Sequence, residues 1–108
     1  MKKLFIGIAL LTLISCHSKY VKTYDVTLIV TGQGTYHYQI GATEEEGVVS
    51  NQKTFTGTVK AGDLVELDAI ADVPGNDMTV ELESNPILGT GNQTKTGEGI
   101  VQVQYLVK

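Results

Sequence analysis

Four stretches of this sequence alternate apolar and polar side chains with a period of two. In residues 24–31, Tyr24, Val26, Leu28 and Val30 fall on one side and Asp25, Thr27 and Thr31 on the other, with Ile29 alone breaking the pattern. Val65, Leu67, Ala69 and Ala71 repeat it over 64–71; Met78, Val80 and Leu82 do so against Thr79, Glu81 and Glu83. Val101, Val103, Tyr105 and Val107 close the chain in the same way, opposite Ile100, Gln102, Gln104 and Leu106. Successive side chains of an extended strand point to opposite faces, so these segments predict strands with one buried and one wet face. No segment after residue 16 carries the 3.6-residue spacing of an amphipathic helix. The chain therefore reads as all-β.

Further strands follow from the turn chemistry. Thr35 to Ala42 places Tyr36, Tyr38, Ile40 and Ala42 inward, and Gly32-Gln33-Gly34 reads as the turn of a hairpin joining it to the first strand. Glu44-Glu45-Glu46-Gly47 reads as a solvated tip, followed by a short strand at Val48-Val49-Ser50 and a longer one from Lys53 to Val59 with Phe55 and Val59 on one face. Lys60-Ala61-Gly62-Asp63 and Pro74-Gly75-Asn76-Asp77 are turns by composition, and Asn85 to Gly97 reads as a long loop. The expectation is a single small antiparallel immunoglobulin-like β-sandwich of about seven strands over residues 24–108. It would lack the disulfide and tryptophan of antibody domains, since the chain has one cysteine and no tryptophan; a small open barrel fits the same pattern.

The N-terminus is of another kind. Lys2 and Lys3 precede an apolar run from Leu4 to Ile14, 11 residues where a membrane-spanning helix needs about 20, which is the layout of a secretory signal. The run ends in Leu13-Ile14-Ser15-Cys16, which resembles the lipobox of bacterial lipoproteins. That resemblance implies cleavage before Cys16, diacylglycerol on its thiol and often an acyl group on the new amino terminus. It divides the chain into a signal peptide (1–15), a lipidated tether (16–23) and the β-sandwich domain (24–108). A single thiol cannot form an internal disulfide, in keeping with a cysteine reserved for lipid. Aspartate is absent from the position after Cys16, and no acidic run follows it. In lipoproteins of two-membrane bacteria this implies the outer membrane, facing the periplasm.

The mature chain would keep six lysines, all but Lys2 and Lys3 of the eight basic residues, against 12 carboxylates, and would contain no arginine. Nucleic acid is thereby excluded as a partner, because phosphate binding needs clustered cations. Charge does not draw such a domain to an anionic membrane either, so the lipid on Cys16 carries the attachment, at about 0.8 kcal/mol for each buried CH₂.

The stretch Phe55-Thr56-Gly57-Thr58-Val59-Lys60-Ala61-Gly62-Asp63-Leu64-Val65-Glu66-Leu67-Asp68-Ala69, with Tyr24-Asp25-Val26-Thr27 before it and Met78-Thr79-Val80-Glu81-Leu82 after, resembles the small MmpS-like accessory proteins and their lipoprotein relatives. The resemblance implies an extracytoplasmic sandwich that serves a lipid-exporting transporter.

Residues for chemistry are few. The mature chain holds two histidines, His17 in the tether and His37 on the polar side of its strand, so no nucleophile–base pair and no set of His or Cys zinc ligands is legible. Asp72, Asn76 and Asp77 fall in one segment, and Asp63, Glu66 and Asp68 in another, without the graded spacing of a calcium loop. The expectation is a non-enzymatic, monomeric envelope module without metal or cofactor, which binds or supports another envelope component. The alternative is a small-ligand or glycan binder using the 43–47 and 85–97 segments at an end of the sandwich.

Overall fold

A computed structural model describes residues 21–89 and 91–108. The signal segment and most of the tether, Cys16 and His17 included, lie outside the described residues. The described residues form eight strands: β1 (Thr23–Thr31), β2 (Gly34–Ile40), β3 (Thr43–Val49), β4 (Gln52–Lys60), β5 (Leu64–Ala71), β6 (Met78–Asn85), β7 (Gln93–Gly97) and β8 (Ile100–Leu106). They lie in two four-stranded sheets, ordered β4-β1-β6-β7 and β3-β2-β5-β8, and every pairing is antiparallel. The architecture is a small β-sandwich.

The alternating residues fill the space between the sheets. Val26, Leu28 and Val30 of β1 and Met78, Val80 and Leu82 of β6 are buried against Tyr36, Tyr38 and Ile40 of β2, Val65, Leu67 and Ala69 of β5 and Val101 and Val103 of β8. At one flank Phe55 of β4 stacks on Tyr38 with ring centroids 4.1 Å apart and meets Tyr36 at 5.0 Å, so three aromatic rings close the gap between the sheets. Ile29, the residue out of phase in β1, faces outward between Thr54 and Glu81.

Four expectations are corrected. Gly32-Gln33 does not close a hairpin, because β1 pairs with β4 and β6 while β2 pairs with β3 and β5. The chain crosses from one sheet to the other there, and Gly34 begins β2 so close to β5 that a Cβ would collide with the Ile70 carbonyl oxygen. Ala42 is exposed in the turn after β2 rather than inward. Glu44-Glu45-Glu46 is not a tip but the body of edge strand β3, and Gln93–Gly97 is edge strand β7 rather than loop. An edge strand is paired on one side only and here is largely exposed on both faces, so burial imposes no period-two pattern on it.

The sandwich has two unlike poles. Thr23, the first residue of β1, pairs with Lys60, and the turn at 61–62, residues 86–89 after β6 and Val107 gather at that pole. The opposite pole carries Gly32-Gln33, Asn51 and the 72–77 turn, tied by Gly32 N–H to Asn51 O at 2.8 Å and Asp72 N–H to Gln33 O at 3.1 Å.

Candidate functional site

The outward faces of the two sheets differ in chemistry. On β4-β1-β6-β7 the outward residues are largely threonine and charge, such as Thr56, Thr27 and Glu83, aligned across three strands. On β3-β2-β5-β8 the register sets three rows across all four strands. Val48, Thr35, Ile70 and Ile100 form one row; Glu46, His37, Asp68 and Gln102 the next; Glu44, Gln39, Glu66 and Gln104 the third. Directly opposed residues of an antiparallel pair share a face, so the pairing itself builds an apolar row beside a carboxylate–imidazole row.

The apolar row is exposed: Val48 retains 68% of its accessible surface, Ile70 46% and Ile100 71%. With Thr35, His37 and Asp68 these side chains line an open concavity of about 540 Å³ on the half of the sheet nearer the 72–77 turn. Ile70 and Ile100 side by side, with Val48 beyond Thr35 in the same row, make an exposed apolar patch of the kind that marks interaction surfaces.

His37 is the centre of the polar rows. Its Nε2–H donates to Glu44 Oε2 at 2.7 Å, and its Nδ1 lies 3.7 Å from Asp68 Oδ2. The Glu44 carboxylate raises the His37 pKa above its ordinary value, against a lowering by partial burial; Asp68 and Glu66 add to the rise. Gln102 Nε2 donates to Glu66 Oε2 at 2.7 Å across β5 and β8. Asp68 Oδ1 is shut off from solvent and has no hydrogen-bond partner among the described residues.

His37 thus stands on the polar face of its strand as the alternation predicts, but it is engaged by two carboxylates rather than free. Of the acidic residues singled out from the sequence, Glu66 and Asp68 join this cluster. Asp63 instead accepts a bond from the Lys60 amide in its turn, and Asp72, Asn76 and Asp77 lie at the far pole. Of the 43–47 and 85–97 segments, the first is strand, and the second begins on the last residue of β6 and ends in β7; Leu88 between them is buried, its N–H bonded to Ser84 Oγ at 2.8 Å. The apolar row was missed in the sequence, although Ile70 and Ile100 occupy positions where alternation calls for polar side chains. No family model, curated protein or solved structure matches the chain.

Proposed function

We propose that this chain is a non-enzymatic lipoprotein of the bacterial cell envelope, anchored by lipid on Cys16, whose sandwich is a binding or accessory module for another envelope protein. The observation that carries the reading is the exposed row Val48, Ile70 and Ile100 beside the His37 and Asp68 row on one sheet face. Such a surface offers apolar area for affinity and fixed charges for specificity. Both ring nitrogens of His37 face carboxylates, Glu44 at 2.7 Å and Asp68 at 3.7 Å, so neither is turned toward a hydroxyl or thiol that it could activate.

The tether supports the same reading. Cys16 and Thr23 are seven residues apart, at most about 25 Å of extended chain, which would hold the pole with the 61–62 turn toward the membrane. The apolar row, nearer the other pole, would then face away from the lipid and toward a partner. The location we propose is the outer membrane, periplasmic side. The resemblance to MmpS-like proteins makes a membrane transporter the class of partner to examine first.

Two measurements in intact cells test the proposal. Cys16→Ser should abolish labelling by a fatty-acid probe and release the protein from the membrane fraction; labelling that persists defeats the lipoprotein reading. A photo-crosslinking amino acid at Ile100 should yield a discrete adduct that the same group at Thr27, on the other sheet, does not. Absence of an adduct at Ile100, or the same adducts from both faces, defeats the binding reading.

A further inference from the structure

An imidazole nitrogen and two carboxylates converge on the β3-β2-β5-β8 face. One ligand-type atom from each of His37, Glu66 and Asp68 lies within 4.8 Å of the other two. Because a carboxylate can only accept, the 2.7 Å contact to Glu44 fixes the Nε2–H of His37 on that side. Nδ1 is therefore the ring nitrogen turned toward Asp68 Oδ2, 3.7 Å away, and a cation that displaces its proton would find the lone pair there. Among the described residues Asp68 Oδ1, excluded from solvent, has no hydrogen-bond partner, while Gln102 donates to Glu66.

We infer that His37 Nδ1, Asp68 and Glu66 form a binding site for a divalent transition-metal cation of the zinc class. One imidazole nitrogen with two carboxylates suits zinc and its neighbours, whereas calcium takes oxygen ligands alone. Glu44 on Nε2–H is the outer carboxylate that orients a metal-binding histidine and raises its basicity; Gln102 on Glu66 holds a ligand carboxylate in the same way. Tetrahedral zinc with bonds of about 2.0–2.2 Å sets its ligands roughly 3.3–3.6 Å apart, so closure needs only small movements of partly exposed side chains. His37 and Asp68 also line the concavity, so a coordination position left open would face it. The site stands on this cluster alone and does not depend on the sheet face having a protein partner.

The test uses the full lipidated chain in detergent, titrated with Zn²⁺ from a nitrilotriacetate buffer and, separately, with Co²⁺. Wild type should take up Zn²⁺ saturably with a rise in Tm, and Co²⁺ should give visible d–d bands without a thiolate charge-transfer band. His37→Gln and Asp68→Asn should each weaken Zn²⁺ affinity about tenfold or more while the far-ultraviolet circular dichroism stays that of wild type. Glu44→Gln, which touches no metal, should weaken it less. Affinity unchanged in both ligand variants overturns the site, since the metal would then sit elsewhere on the chain; so does failure of wild type to bind Zn²⁺ saturably. If both variants lose the wild-type fold, Glu66→Gln decides: unchanged affinity there also overturns it.

Discussion

Gly57 of β4 sits against Ile40 of β2 across the two sheets, so close that a Cβ at residue 57 would come 2.7 Å from Ile40 Cγ2. Phe55 and Val59 point inward on either side of Gly57, and the missing side chain between them is the space that Ile40 occupies. Ile40 is stiff about χ1 and 5% exposed, so it has no easy way to yield.

Gly57→Ala should therefore destabilise the domain by about 1–3 kcal/mol, as overpacking of a filled core does. In a double-mutant cycle with Ile40→Ala, the cost of the alanine at 57 should shrink. Urea titrations of the four proteins read this directly; additive effects would mean that the two residues do not share that space.

Leu67, in the middle of β5, is fully buried, whereas His37 keeps 30% of its side-chain surface. Leu67→Ala should cost about 2–5 kcal/mol. His37→Ala in metal-free buffer should cost well under that, about 0.5–1 kcal/mol, because exposed ion pairs contribute little. Thermal unfolding ranks the two, and a larger loss for the histidine variant would mean that the faces of β2 and β5 are exchanged.

Alternation made the inward faces of β1, β5, β6 and β8 legible, because each of those strands is covered on one side and wet on the other. It was silent on β3 and β7. Glu44, Glu45 and Glu46 are all exposed, and a strand without a buried face has no reason to alternate. The path of the chain at Gly32-Gln33 was misread for a different reason: glycines suit a tight hairpin and a crossing between sheets equally well, and only pairing tells them apart. The site was legible in its members and not in its assembly. His37, Glu66 and Asp68 each read as polar-face residues, but Asp68 is 31 positions from His37, and the β2–β5 register brings them together.

Gly34 offers a test of that crossing. Its Cβ would strike the Ile70 carbonyl, a backbone atom that cannot rotate away. Gly34→Ala should cost about 3 kcal/mol or more, at or beyond the upper end for overpacking. Gly62→Ala meets no atom within 4 Å and pays only for its positive φ, so it should be milder in the same denaturation assay.

Tyr38 should make stability fall at high pH. Burial raises its pKa above the ordinary value, with the nearby Glu45 charge adding to it. The folded state therefore holds the phenolic proton more tightly than the unfolded one. The associated stability is complete below the unfolded-state pKa of about 10 and is lost as pH rises toward and through the higher folded-state value. Urea midpoints taken between about pH 9 and pH 11.5 should drop more steeply for wild type than for Tyr38→Phe. Equal slopes would mean that the hydroxyl titrates as it does in the unfolded chain.

The claim that one sheet face is the recognition surface is tested most directly by placing a charge in the apolar row. With the photo-crosslinking group at Val48, Ile100→Asp should abolish or sharply reduce the adduct formed in cells, while Thr27→Asp on the opposite sheet leaves its yield unchanged and both proteins keep their Tm. An adduct that survives Ile100→Asp at full yield, or that Thr27→Asp removes equally, would contradict the account.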